Sequence, residues 1–187
     1  MTEPALVGAV LCGGRSTRMG RDKAFVEIDG VPMARRVADA LVSAGCSPVV
    51  AIGGDADGLA TLGLPVVADG WPGEGPVGGV RTALGEFPDA AAVVVVACDT
   101  PWLEGSAVAA LVRALLDDPV AMVAVAHTDR VEPLCASWRP SALSAVANAM
   151  DAGERRLHAV VAALPSCSVP LVPSVLRNVN APTDVPG

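Results

Sequence analysis

The stretch LCGGRSTRMGRDK, Leu11 to Lys23, holds four of the thirteen basic residues of the chain, Arg15, Arg18, Arg21 and Lys23. Lys23 is the only lysine in the sequence. An apolar run, Leu6 to Leu11, leads into it. Its glycines, Gly13 and Gly14 first, let backbone N–H groups converge on an anion while the cations supply charge, so the chemistry it offers is phosphate binding. The spacing is not that of a Walker A loop, because Gly14 and Gly20 enclose five residues and Arg21 stands where the lysine belongs. In a chain that otherwise uses Arg for every cation, a single compact ammonium is the residue a phosphate site would retain.

Two carboxylates fall at comparable places. Asp99 ends the run AAVVVVAC and Asp69 ends a shorter one, PVVA. Asp99 before Thr100-Pro101 has two readings, a turn-opening residue or a hard oxygen ligand for Mg²⁺, an ion that needs only one or two carboxylates when phosphates complete its shell. Trp102 offers a flat face for a heteroaromatic ring or, equally in character, packing beside a strand end. Asn178 and Asn180 flank Val179 with strand alternation, which sends both amides to one side. His127 and His158 have no second His or acidic pair near them and are read as structural or surface residues.

The elements that must position these groups follow from periodicity. Leu6 to Leu11, Pro48 to Ile52, Pro65 to Ala68, Ala91 to Cys98, Val120 to Ala126 and Leu134 to Trp138 read as strands, with a further short strand near Val179. Asp29-Gly30 is a turn. Helices are expected from Pro32 to Gly45 on the repeat Met33, Val37, Leu41; on Val80, Ala83, Leu84 and Phe87; from Ser106 on Val108, Leu111, Val112 and Leu115; from Pro140 to Gly153; and on Leu157, Val160, Val161 and Leu164. Asp69 to Gly79 is so rich in Gly and Pro that it reads as a loop throughout. Strands alternating with amphipathic helices predict βαβ units in a mostly parallel sheet, covered on both sides, whose ligands sit beyond the C-terminal strand ends. The Gly13 to Lys23 loop, Asp69 and Asp99 all fall there.

Composition limits the rest. The 187 residues suit one domain, 1–187, and a hydrophobic fraction of 52% with only 3% aromatic dictates an aliphatic core. No apolar run approaches the roughly 20 residues that span a bilayer, and the N-terminus does not resemble a signal peptide. A net charge of −7 argues against nucleic acid or an anionic membrane as partner. The five cysteines form no CxxC pair, which points away from zinc and disulfides and toward the cytoplasm.

Four separated motifs, LCGGRSTRMGRDKA, DGWPGEGPVGGV, ACDTPWL and NVNAPTD, occur in an order that resembles the molybdenum cofactor guanylyltransferases, and EPLCASW and AGERRL are similar to further segments of that family. The resemblance implies a three-layer α/β/α Rossmann-like nucleotidyltransferase fold and Mg²⁺-dependent transfer of GMP from GTP to the terminal phosphate of molybdopterin. It implies GTP contacts from Leu11, Cys12, Gly13, Gly14, Lys23, Asp69, Gly78 and Asp99, catalytic roles for Arg18, Lys23 and Asp99, and Asp99 as the metal ligand. Trp102, Asn178 and Asn180 become acceptor-side candidates, with molybdoenzymes or their chaperones as protein partners. Cytidylyl or other nucleotidyl transfer to a different phosphorylated small molecule, or a non-catalytic nucleotide-binding module that delivers cofactor, are the alternatives. Three departures stand out: Cys12 replaces a small Ala, Gly53-Gly54 occupies a place where related enzymes carry an Asn, and the chain ends at Gly187 without the family's terminal helix.

Overall fold

The computed structural model describes residues 5–13, 22–180 and 184. Gly14, Arg15, Arg18 and Arg21 lie outside the described residues, as do Pro182 and Thr183 of the terminal motif. A seven-stranded sheet forms the middle layer: β1 (Leu6–Leu11), β4 (Val49–Ile52), β5 (Val66–Val67), β6 (Ala92–Ala97), β7 (Val123–His127), β8 (Val131–Trp138) and β9 (Ser166–Pro170). Its order is β5-β4-β1-β6-β8-β7-β9. Every pairing is parallel except those of β8, which runs antiparallel to both β6 and β7. The remaining strands, β2 (Glu27–Ile28) and β3 (Val31–Pro32), make a separate hairpin. Its turn, Asp29-Gly30, has positive φ at both positions, the handedness that matches strand twist.

Strand alternation divides the core in two. Ala92, Val94 and Val96 of β6 face one layer with Val10, while Val93 and Val95 face the other with Val7 and Ala9. Helices α1 (Met33–Ser43), α2 (Ala56–Thr61) and α4 (Gly105–Asp117) cover the first face with Val37, Leu41, Leu59, Leu111 and Leu115. Helices α3 (Gly75–Glu86), α5 (Leu143–Asp151) and α6 (Leu157–Ala162) cover the second with Val80, Leu84, Val146 and Val160. Gly8, at the centre of β1, is a packing requirement: a Cβ there would stand 3.0 Å from Val49 and 3.1 Å from Leu41.

Several boundaries differ from the sequence expectation. The Asp69 to Gly79 stretch is not loop throughout, since α3 starts at Gly75 with Pro76 in its first turn, where a missing N–H costs no hydrogen bond. Gly78 and Gly79 serve packing within the helix: a Cβ on Gly78 would meet the Trp71 carbonyl at 2.8 Å, and one on Gly79 would make the end of the Leu11 side chain, at 2.9 Å, give way. Four elements, the hairpin strands β2 and β3 together with α2 and β9, have no counterpart in the expectation. Helix α2 is six residues with one buried side chain, Leu59, too short to show a period. Strand β9 is an edge strand with only Val169 buried. No strand forms at Val179, which is instead held by donating its N–H to the Asp99 carbonyl at 2.9 Å. Ser106 lies inside α4, whose N-cap is Glu104.

Candidate active site

The C-terminal ends of β5, β4, β1 and β6 bring three groups of residues together. The first is a backbone cradle. Cys12 and Gly13 both donate their N–H groups to the Ile52 carbonyl at 3.1 Å, which turns these donors inward. Gly53 closes the opposite wall. It has φ +66°, and a Cβ on it would lie 3.3 Å from the Gly13 Cα and 3.4 Å from the Asp69 Cβ. At Gly53 the two backbones approach closely and φ is positive, so any side chain there would be strained. Cys12 is buried in the core, so its thiol points away from the cradle and only its main chain borders it.

Asp69 completes this half. Its Oδ1 accepts from the Trp71 N–H at 3.0 Å and from the Thr82 hydroxyl at 3.1 Å, while Oδ2 is turned toward Gly13, 3.8 Å from where a Cβ would stand. One carboxylate oxygen is fixed by the protein and the other faces the cradle. Thr82 in turn accepts from the Gly70 N–H at 3.1 Å. Gly78 lies one turn before Thr82, beneath Trp71, and its carbonyl lies 3.0 Å from the same hydroxyl.

The second group is an ionic junction. Lys23 donates to Asp99 Oδ2 at 3.1 Å and to Asn180 Oδ1 at 2.6 Å. Both members of the ion pair are about four-fifths buried, with side-chain exposures of 21% and 18%. Lys23 is aimed by Asp22, whose carboxylate accepts from the Ala24 N–H at 3.0 Å and caps a single 3₁₀ turn, and by Ala24, which is fully buried. Asp99 is aimed by the turn that follows β6, where Thr100 donates to the Ala97 carbonyl and Arg36 of α1 donates to the carbonyls of Pro101 and Ile28, each at 3.0 Å. Its second oxygen, Oδ1, is buried and has no hydrogen-bond partner among the described residues. Beside it, the Cys98 thiol is pushed well above its ordinary range by its hydrogen bond with Cys12, by burial and by the nearby Asp99 charge, and stays a neutral thiol.

The third group is the terminal segment. Val179 is fully buried against Ile28 and Met33, with Trp102 packed on the same cluster. Asn178 and Asn180 emerge on either side of it, both exposed. The alternation expected of a strand survives without one. The face of Trp102 is covered by the guanidinium of Arg177, 3.8 Å from the ring centroid.

Of the residues singled out from sequence, Leu11, Cys12, Gly13, Lys23, Asp69, Asp99, Trp102, Asn178 and Asn180 border this region. Gly78 supports it from behind Trp71, and Gly14 and Arg18 fall outside the described residues. Sequence reasoning passed over Asp22 as a cap, Thr82, Gly53 as a close-contact residue, and Arg177. Only Asp22 carries a local signal, an Asp two residues before a buried Ala.

A mostly parallel sheet with a glycine-walled cradle and a Lys-Asp junction at its strand ends defines a nucleotide-handling enzyme of the nucleotidyltransferase class. Residues 8–167 match the family model described as the MobA-like NTP transferase domain. The chain is 38% identical over 162 residues to a protein named probable molybdenum cofactor guanylyltransferase from Opitutus terrae, covering 86% of this chain and 79% of that one. It is 34% identical to the molybdenum cofactor guanylyltransferase of Rhodobacter capsulatus, covering 96% and 93%. A solved structure of molybdopterin-guanine dinucleotide biosynthesis protein A from Archaeoglobus fulgidus superposes with a TM-score of 0.74 at 22% identity, covering 95% and 93%. The chain belongs to the MobA-like NTP transferases, in the group of molybdenum cofactor guanylyltransferases.

Proposed function

We propose that this chain transfers GMP from GTP to the terminal phosphate of molybdopterin, forming molybdopterin guanine dinucleotide and releasing pyrophosphate. The observation that carries the residue assignment is the Lys23-Asp99-Asn180 junction at the end of β6, a cation and a carboxylate brought together beside the Gly13-Gly53-Asp69 cradle.

Guanine presents N1–H and N2–H donors on its pairing edge, together with the O6 acceptor. The cradle suits the donors. The N–H groups of Cys12 and Gly13 are occupied by Ile52, which leaves their carbonyl oxygens to accept from the base. Asp69 Oδ2, facing the cradle, would accept from a ribose hydroxyl, and its geometry is fixed in advance by Thr82 and Trp71. Lys23 would follow the phosphates, its ammonium already held between Asp99 and Asn180. Arg18, from the basic loop, would share that task.

Asp99 would hold Mg²⁺. The fit rests on Oδ1, a buried carboxylate oxygen with no hydrogen-bond partner among the described residues, and on the donor set. Phosphates and water would complete the shell of a hard cation held there. When bound, the ion supplies charge neutralisation at the phosphates.

The reaction needs no covalent enzyme intermediate. An ionised oxygen of the molybdopterin phosphate attacks the α-phosphorus, the bond from that phosphorus to the bridging oxygen breaks, and pyrophosphate leaves with the electron pair. The nucleophile is already anionic, so the protein has to position two repelling anions and offset their charge. Asn178 and Asn180 would orient the acceptor, whose product would pass to molybdoenzymes or their chaperones. No described helix is long and apolar enough to cross a membrane.

The deciding experiment supplies molybdopterin and Mg²⁺ with GTP or CTP in turn and follows pyrophosphate release and the dinucleotide formed. Product from GTP is expected; turnover with CTP and none with GTP would overturn the guanine assignment.

A further inference from the structure

Two arginines in the molecule lie flat on tryptophan faces, and their electrostatic situations differ. Arg81 covers Trp71 at 3.9 Å and also pairs with Asp151 at 2.9 Å, so its charge is already neutralised. Arg177 covers Trp102 at 3.8 Å, and among the described residues no carboxylate lies in ion-pair contact with it. It is exposed, in a chain whose net charge is −7. An exposed guanidinium in such a protein does not lack carboxylates to meet. This one is instead held over an indole by cation–π attraction, which engages the face of the guanidinium and not the N–H donors on its edge.

Its position gives that edge a target. Arg177 precedes Asn178, whose neighbour Val179 is bonded through its N–H to the Asp99 carbonyl and buried against Ile28 and Met33. Trp102 belongs to the turn that carries Asp99 and packs on the same small cluster. The stack is therefore fixed at both ends to the residues that present Asp99 and Asn180. Across the strand ends the order runs from the Gly13-Gly53-Asp69 cradle through the Lys23-Asp99 junction to the Trp102-Arg177 stack. The cradle takes the nucleoside and the junction takes the phosphates under attack, so the stack lies on the side from which an acceptor must come.

We infer that Arg177, preorganised on Trp102, is an acceptor-binding residue that grips the phosphomonoester of the incoming pterin. This inference rests on the guanylyl-transfer reading. A stacked guanidinium offers two parallel N–H donors, which match a phosphate bidentately. Held beside the junction, it would bring the nucleophilic phosphate toward the α-phosphorus and offset part of the repulsion between the two anions. It also reassigns Trp102. The indole face is occupied by the guanidinium, so the ring serves as a platform for the cation, and the pterin is recognised through its phosphate.

The test measures binding of molybdopterin and of its dephosphorylated pterin to the full chain, as wild type, Arg177→Gln and Arg177→Lys, with GTP affinity and thermal midpoint recorded for each. Arg177→Gln should weaken molybdopterin binding about tenfold or more, the loss expected for charge-assisted hydrogen bonds. It should leave GTP and the dephosphorylated pterin within about twofold, and Arg177→Lys should recover part of the loss. An equal loss for both pterins would show a packing role and overturn the inference. So would a loss confined to GTP, which would place the guanidinium on the triphosphate. A wild type that makes the guanine dinucleotide while Arg177→Gln binds molybdopterin normally overturns this inference alone. A wild type that neither binds molybdopterin nor forms the dinucleotide overturns it together with the functional reading.

Discussion

The Nζ of Lys23 lies 3.1 Å from Oδ2 of Asp99, although 76 positions separate the two residues in sequence. Each comes from a turn with its own fixing device, Asp22 capping one and Thr100 and Arg36 bracing the other. The ammonium is thus oriented before any phosphate arrives, and little reorganisation is left to the reaction.

Lys23→Ala and Asp99→Asn should each lower kcat for pyrophosphate release by about 10²–10³, the scale for losing one preorganised charge at a phosphoryl centre. Because the two side chains act as one unit, the double variant should lose little more than the worse single one. Steady-state kinetics of the three variants decide this. Full activity in either single variant would mean the junction is not catalytic.

Thr82→Val keeps the shape of the side chain and removes the hydroxyl that holds Asp69 Oδ1. With the carboxylate free to swing, the KM for GTP should rise about fivefold, equivalent to one hydrogen bond of about 1 kcal/mol. The acceptor KM should stay put, and a change confined to the acceptor would remove Asp69 from the nucleoside side.

Gly53→Ala asks for a side chain at φ +66° where the Gly13 Cα is 3.3 Å from the new Cβ. The left-handed backbone alone costs roughly 1–2 kcal/mol, so the urea midpoint should fall and GTP binding weaken with it. An unchanged midpoint would show that the two backbones can separate at no cost.

Val179→Ala deletes two methyl groups from a fully buried position at a cost of about 1–3 kcal/mol. Since Val179 seats the segment that carries Arg177, Asn178 and Asn180, the acceptor KM should rise while that for GTP changes little. Kinetics with each substrate varied in turn separate the two effects.

Burial pushes the Cys46 thiol up to about 11 and the Cys135 thiol up to about 12. In the unfolded chain these thiols ionise from about pH 8.5, whereas in the folded chain they keep their protons. Their contribution to stability is fully present below that pH and is lost as pH rises through about 11 and about 12. Denaturation midpoints should be level across neutral pH and decline above about 8.5, with a shallower decline in Cys135→Ala.

The sheet was legible because its central strands are buried on both faces. The AAVVVVAC run that became β6 and the LVGAVL run that became β1 have no other stable solution than the middle of a covered sheet. Elements with few buried side chains left no such mark, which is why α2, β9 and the first turn of α3 were not foreseen. In α3 the composition that reads as loop serves packing instead, since Gly78 sits against the Trp71 backbone where no side chain fits and Gly79 sits against the Leu11 side chain. Val179 looked like a strand residue because polar Asn178 and Asn180 flank it in alternation. Its backbone partner is a lone carbonyl at a strand end, and no local pattern encodes that.

By itself the sequence determined the types of chemistry available: a cationic glycine loop with a lone lysine, carboxylates after apolar runs, and motifs in an order that resembles one family. Residue types and strand-forming runs are local properties, so they can be read one stretch at a time. Only the tertiary structure decided which groups meet. It placed Lys23 between Asp99 and Asn180, turned one oxygen of Asp69 toward Gly13, and laid Arg177 on Trp102. Those meetings depend on the order of strands across the sheet and on where a buried Val179 anchors the end of the chain, and both are set by packing between residues far apart in sequence.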